Sequence, residues 1–141
     1  MKRKARAVWN GSGKDGEGKL TTDSGVLQDT QYSWKTRFAD GKGTNPEELI
    51  GAAHAGCFAM ALAFALGKNG HEPQALEVAA TVSLDQQDGG FAITAVALDL
   101  TAKIPGIDEA TFKKIAEEAK NGCPVSKVLK AQISLDAKLA K

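Results

Sequence analysis

The sequence has few of the residues that would indicate a specialised class of protein. Among 141 residues there are two cysteines, four prolines and two histidines. Two cysteines cannot form a disulfide scaffold, and they lack the C-x-x-C spacing of a zinc or thioredoxin-like site. No glycine-rich phosphate loop is present. We therefore expect no metal and no cofactor.

Charge of one sign is also lacking. The 18 basic residues nearly balance the 17 acidic ones, and the formal net charge is +1. Such a chain has no field that would attract nucleic acid or an anionic membrane. The start of the sequence has no apolar leader. With 43% hydrophobic residues, we expect a single cytoplasmic domain over residues 1–141.

One long hydrophobic run is present, at residues 49–66, and it carries no formal charge. It meets the length criterion for a membrane-spanning helix. However, it consists mostly of alanine and glycine, has His54 near its middle, and lies between strand-like segments. We interpret it as a central core helix, apolar on all sides.

The segments before this run have the alternation of β-strands. The first 44 residues are punctuated by glycine and predict short antiparallel strands. One of these is predicted at 31–38, with Tyr32, Trp34 and Phe38 on one face and Arg37 on the other.

The remaining elements follow from caps and periodicity. Asn45 and Pro46 predict a helix start, with Glu48 completing a capping box, and the helix should extend to about residue 68. The other expected elements are a hairpin over 76–84 and 91–100, a helix after Asp108, a short helix from Pro124 with Val125, Val128 and Leu129 on its apolar side, and a strand over 133–139. The alternation slips by one residue between Ile93 and Val96, which indicates either a bulge near Thr94 and Ala95 or burial on both faces. This order predicts an α+β fold in which antiparallel sheets surround a long apolar helix.

The residues by themselves leave two functions open. Cys57 lies in the apolar helix, whereas Cys123 is predicted at the cap of the helix that Pro124 begins, where unpaired N–H groups favour a thiolate. His54 lies three residues before Cys57 and could be the base of a Cys-His acyl-transfer enzyme. Alternatively the chain is a non-catalytic small-ligand binding module in which both cysteines only pack.

Three segments resemble one family. They are residues 36–38 (Thr-Arg-Phe), 43–58 (Gly-Thr-Asn-Pro-Glu-Glu-Leu-Ile-Gly-Ala-Ala-His-Ala-Gly-Cys-Phe) and 122–126 (Gly-Cys-Pro-Val-Ser). Together they resemble the OsmC branch of the OsmC/Ohr hydroperoxide reductases, and the similarity extends in order over nearly the whole chain. The glycine-rich stretch near the N-terminus, where the Ohr branch has its arginine, has none here. Arg37 is therefore the matching arginine.

The resemblance implies an activity and a set of site residues. Cys57 would be the peroxidatic cysteine and Cys123 the resolving one, with Arg37 and Glu47 as a charged pair beside the thiolate. The substrates would be organic hydroperoxides and, less well, hydrogen peroxide, in defence against osmotic and oxidative stress. A dithiol reductant, such as a lipoyl-bearing protein, would restore the thiols. An apolar wall that includes Phe38, Phe58 and Met60 would suit such substrates.

The resemblance also implies an intertwined homodimer, and helix geometry agrees with it. Glu47 and Cys57 are ten residues apart, which is about 15 Å along a regular helix. Their directions around the helix differ by roughly 80°. We therefore expect Arg37 and Glu47 to reach Cys57 from the other subunit.

Overall fold

The computed structural model describes all 141 residues and contains six strands and four helices. The predicted α+β class is confirmed. The elements, in chain order, are β1 (Ala5–Asn10), β2 (Glu17–Thr22), β3 (Thr30–Tyr32), α1 (Trp34–Phe38), α2 (Pro46–Lys68), β4 (Ala75–Gln87), β5 (Gly90–Lys103), α3 (Glu109–Gly122), α4 (Pro124–Val128) and β6 (Gln132–Leu139). The chain divides into two compact units, residues 1–49 and residues 50–141.

The first unit contains a three-stranded antiparallel sheet in the order β1-β2-β3. Gly18 in β2 lies between the aromatic side chains of Trp9 and Tyr32, whose ring centroids are 5.5 Å apart. A Cβ atom at Gly18 would come within 2.3 Å of the Tyr32 ring. Glycine is therefore required for these two rings to approach each other.

The prediction of a strand over 31–38 is wrong in its second half. Strand β3 ends at Tyr32, and the helix α1 follows at once. A reciprocal capping box begins this helix: the Ser33 hydroxyl accepts from the Thr36 N–H, and the Ser33 N–H donates to the Thr36 hydroxyl. Both backbone N–H groups are thereby satisfied, which outweighs the strand-like alternation of the side chains.

The second unit contains the sheet β4-β5-β6. Strands β4 and β5 form the predicted hairpin, and the register shift places the bulge at Thr94, as predicted. The expectation of purely antiparallel sheets is wrong here, because β6 pairs parallel with β5. Helices α3 and α4 supply the long connection that a parallel pair requires.

Helix α2 covers the predicted range 46–68. Asn45 caps its start as predicted, but the predicted capping box with Glu48 does not form. The Asn45 side chain accepts from the Glu48 N–H at 2.8 Å. The Glu48 carboxylate does not close a capping box with Asn45 but accepts from the Thr44 hydroxyl at 3.0 Å.

One face of α2 lies in the core of the second unit. Its fully buried apolar residues, Phe58, Leu62 and Leu66, belong to one cluster with residues of β5 and α3. Gly51 lies against β4, where an added Cβ would be 3.5 Å from the Ala80 carbonyl oxygen. The periodicity of α3 is confirmed, since its four buried residues are Phe112, Ile115, Ala116 and Ala119.

The opposite face of α2 is exposed in the single chain. It presents a stripe that we call the exposed α2 stripe: Ala52, Ala53, Gly56, Met60 and Phe64. By length and composition alone α2 could also cross a membrane, a test that core helices of soluble proteins also pass. The prediction that Val128 lies on the apolar side of α4 is wrong, because its side chain is exposed.

Candidate active site

The first unit holds a charged pair of two predicted site residues. Arg37 on α1 donates from Nε to both carboxylate oxygens of Glu47, at 3.1 and 3.2 Å, and from Nη2 to Oε1 at 2.7 Å. Only 11% of the Glu47 side chain is exposed, against 37% of the Arg37 side chain. These hydrogen bonds fix the orientation of the Arg37 guanidinium group. The Nη1 group takes no part in the pair and can donate to a further acceptor.

Two sets of hydrogen bonds position Arg37 and Glu47. The Ser33–Thr36 capping box turns the chain into α1, and the Asn45 amide donates to the Thr36 carbonyl oxygen at 3.0 Å. Asn45 therefore joins the beginning of α2, which contains Glu47, to the short helix that contains Arg37.

Aromatic side chains surround Arg37. Its guanidinium carbon lies 5.4 Å from the centre of the Phe38 ring, and the Phe38 and Trp34 rings are 5.5 Å apart. A small cavity of 120 Å³ lies beside them. Its lining comprises Trp9, Gly13, Tyr32, Ser33, Trp34, Arg37, Phe38 and Pro46. The arginine thus faces a predominantly apolar pocket, although Met60 and Phe58 do not line it.

The second unit brings the two cysteines together. Cys57 on α2 is partly buried, and Cys123, which ends α3 and precedes α4, is fully buried. Both thiols are free, and they lie close enough to perturb each other's ionisation although 66 positions separate them in the sequence. Pro124 at the first position of α4 and the bond from the Cys123 N–H to the Ala119 carbonyl oxygen, 2.9 Å long, fix the backbone at Cys123.

The two thiols ionise differently. Burial raises the pKa of Cys57, and the hydrogen bond with Cys123 raises it further. Burial also acts to raise the pKa of Cys123, but hydrogen bonds with Cys57, Ser126 and Val125 outweigh it, so this pKa is lowered. In the isolated chain Cys123 is therefore the more acidic of the two thiols. A reactive Cys57 thiolate needs an additional cation.

His54 is fully buried and does not pair with Cys57. Its Nε2 atom lies 2.7 Å from the Ser126 hydroxyl, and its Nδ1 atom has no hydrogen-bond partner. Burial lowers the pKa of this imidazole. The acyl-transfer alternative requires the imidazole to act on Cys57, and no such hydrogen bond is present.

The structure thus joins Arg37 to Glu47 and Cys57 to Cys123, each pair within one compact unit. Sequence reasoning missed Ser126, for which a polar residue three positions after Cys123 was the available signal. The prediction that Phe58 lines the substrate pocket is wrong, because that ring is completely buried in the core. No group of three or more His, Cys, Asp or Glu side chains that could hold a metal ion is present.

Comparison with known proteins agrees with this geometry. The family model described as OsmC-like protein matches residues 39–138. The chain belongs to the OsmC family. It is 54% identical over 137 residues to peroxiredoxin OsmC of Escherichia coli, covering 97% of this chain and 96% of that protein. It is 33% identical to an organic hydroperoxide resistance protein of Xanthomonas axonopodis pv. citri, covering 72% and 70%.

A solved structure extends the similarity within the OsmC family to the fold. The crystal structure of the organic hydroperoxide resistance protein OhrB of Bacillus subtilis superimposes with a TM-score of 0.69 and 28% sequence identity. The similarity covers 97% of this chain and 98% of that one. The similarity therefore extends over the residues of both compact units.

Proposed function

We propose that this member of the OsmC family is a thiol-dependent peroxidase that reduces organic hydroperoxides. Cys57 is the peroxidatic and Cys123 the resolving cysteine. The observation that supports this assignment most directly is the pair of neighbouring free thiols that perturb each other's ionisation, in a chain similar to a peroxiredoxin over nearly its whole length.

The reaction has two chemical steps in the protein. The Cys57 thiolate attacks one peroxide oxygen, the O–O bond breaks, and the alkoxide leaves as an alcohol after it takes up a proton. Cys57 becomes a sulfenic acid. The Cys123 sulfur then attacks the Cys57 sulfur and displaces hydroxide, which leaves as water, and a disulfide remains. A dithiol, for which a lipoyl-bearing protein is our candidate, reduces the disulfide and is itself oxidised.

Arg37 supplies the cation that Cys57 needs. A guanidinium beside the sulfur lowers the thiol pKa and can donate to the peroxide oxygen on which negative charge develops. Glu47 accepts from Nε and Nη2 and leaves Nη1 for these tasks. The aromatic lining of the adjacent cavity favours an alkyl or aryl hydroperoxide over hydrogen peroxide.

The active protein is an intertwined homodimer in the cytoplasm, with residues 1–141 as one domain in each subunit. Support for the dimer comes from two surfaces of the single chain. Strand β1 is exposed along its whole length, including Trp9, and the exposed α2 stripe presents Met60 and Phe64 to solvent. Apolar surface of this kind commonly marks an interface between chains.

Thiol titration after addition of cumene hydroperoxide tests the assignment of the cysteines. One equivalent should remove both free thiols of the wild-type chain and form an intramolecular disulfide. The Cys57→Ser variant should lose turnover, and Cys123→Ser should consume roughly one equivalent before it stalls or becomes overoxidised. Retention of both thiols in the wild type, or turnover by Cys57→Ser, would refute the proposal.

A further inference from the structure

A buried polar pair lies next to the thiols and has no part in the chemistry described above. His54 precedes Cys57 by one helical turn and is fully buried, as only a few polar side chains of this chain are. Its Nε2 atom contacts the Ser126 hydroxyl at 2.7 Å, while Nδ1 remains without a partner. An incompletely satisfied buried imidazole costs free energy. Ala or Leu at this position of the helix would avoid that cost.

Ser126 connects the imidazole to the reacting sulfur. It is the third residue of α4, and both its hydroxyl and its backbone N–H stabilise the Cys123 thiolate. Cys123 is in turn close enough to Cys57 to shift its pKa. The contacts therefore form a continuous chain from Cys57 through Cys123 and Ser126 to His54, within one compact unit.

We propose that Ser126 and His54 form a proton relay for the resolving step. This inference rests on the proposed function, in which Cys123 attacks the sulfenic acid of Cys57. Ser126 touches the reacting sulfur, and His54 acts through Ser126 as a positioning residue. The relay would accelerate disulfide closure and would not affect the first attack on the peroxide.

The proton and electron balance of the step is complete. The Cys123 thiol gives its proton to the Ser126 oxygen, and the Ser126 hydroxyl gives its own proton to Nε2 of His54. The Cys123 sulfur then forms the S–S bond with Cys57 as the S–O bond breaks. The departing hydroxide receives a proton from the Ser126 hydroxyl and leaves as water, and His54 returns its proton to the Ser126 oxygen. In this step the sulfenic sulfur of Cys57 is reduced as the Cys123 sulfur is oxidised, and no further reactant is needed.

The surroundings of His54 suit a neutral proton acceptor. Burial lowers its pKa, so the imidazole is uncharged at neutral pH. The titratable groups in the cluster are the two thiols, one on α2 and one before α4. Both cysteines belong to the hydrophobic cluster that includes residues of β4, β5, α3 and α4. Proton transfer therefore creates a thiolate and an imidazolium close to each other, and each charge stabilises the other.

The relay predicts a distinct pH profile. Because the proton stays within the chain, closure in the wild type should be nearly independent of pH through the neutral range. It should slow only in acid, where His54 is already protonated. Without a proton acceptor, closure should follow ionisation of the Cys123 thiol and become faster as pH rises.

Rapid mixing with cumene hydroperoxide separates the two steps. Sulfenic acid formation is followed by dimedone labelling, and closure is followed by mass spectrometry of alkylated samples. His54→Gln retains a hydrogen-bonding group but not a basic one, and Ser126→Ala interrupts the relay. In both variants closure at pH 7 should slow by roughly tenfold or more relative to sulfenic acid formation measured in the same variant. Ser126→Thr, which keeps the hydroxyl, should restore closure, and His71→Gln is the matched histidine control.

A second measurement does not depend on peroxide chemistry. In the Cys57→Ser background, alkylation of Cys123 should require higher pH when Ser126→Ala is added. Unchanged closure rates and flat pH profiles in His54→Gln and Ser126→Ala would overturn the relay. An unchanged Cys123 alkylation profile would also overturn it. Failure of the wild type to form any sulfenic acid would instead refute the peroxidase, and the alkylation profile would still decide the role of Ser126.

Discussion

At the scale of single residues, the central question is how a buried thiol becomes a thiolate. Both burial and the neighbouring Cys123 raise the pKa of Cys57, so the two cysteines alone would leave the peroxidatic residue protonated. Arg37 is held by Glu47 with one end of its guanidinium uncommitted. In the proposed site this uncommitted end of Arg37 lowers the pKa of Cys57.

Replacement of Arg37 should therefore change the pH at which Cys57 reacts. In Arg37→Met the pH profile of Cys57 alkylation should shift upward by about one to three units, because the thiolate has lost an adjacent positive charge. Less thiolate is then present at neutral pH, and peroxide reduction falls with it. Lys35→Met, on the same short helix, is the control for a general loss of charge. An alkylation profile that is identical in Arg37→Met and wild type would show that Arg37 does not act on Cys57.

The residue-level site was only partly predictable from the sequence. The pairing of Arg37 with Glu47 and of Cys57 with Cys123 was expected from a resemblance, because spacings of 10 and 66 positions do not by themselves imply contact. The bond between His54 and Ser126 spans 72 positions and was missed. Contacts of this range depend on how α2 and α4 pack, and no local pattern records that packing.

At the scale of elements, prediction succeeded where a long periodic pattern acted with a cap. Helix α2, the β4–β5 hairpin with its bulge, and α3 after Asp108 all appear where the sequence indicates. Helix α1 was missed because five residues are too few to show helical periodicity. Its Ser-x-x-Thr capping box was the available signal, and the alternating aromatic residues concealed it.

The capping box of α1 should affect activity as well as stability, because α1 carries Arg37. Ser33→Ala removes the acceptor of the Thr36 N–H and should lower the free energy of unfolding by about 1 kcal/mol. Peroxidase activity should fall further than this loss explains, since Arg37 is displaced.

The matched control for this prediction is Asp108→Ala, which removes the cap of α3, where the carboxylate accepts from the Thr111 N–H at 2.8 Å. It should reduce stability but preserve activity. Urea unfolding and initial rates on cumene hydroperoxide measure both quantities. Equal activity in Ser33→Ala and Asp108→Ala, relative to their stabilities, would mean that α1 does not position the arginine.

At the scale of the whole molecule, the exposed surfaces of the single chain require an explanation. Strand β1 is exposed throughout, and the exposed α2 stripe repeats small and apolar residues at four-residue intervals from Ala52 to Phe64. The hydrophobic core of a single chain does not cover the exposed α2 stripe. A homodimer that buries it also allows Arg37 and Glu47 of one subunit to serve Cys57 of the other, as the ten-residue separation of Glu47 and Cys57 on one helix favours.

Subunit mixing tests this composite site. Cys57→Ser and Arg37→Met are each inactive as homodimers in the proposed mechanism, but a heterodimer contains one site with an intact Cys57 and an intact Arg37 from opposite subunits. After complete exchange of an equimolar mixture, about half of the dimers are mixed and each has one working site, so activity should recover to about a quarter of wild type. If both residues serve a site within one chain, every mixed dimer lacks a complete site and no activity returns. Mass spectrometry of differently tagged subunits verifies the exchange, and a monomeric mass by light scattering would refute the dimer itself.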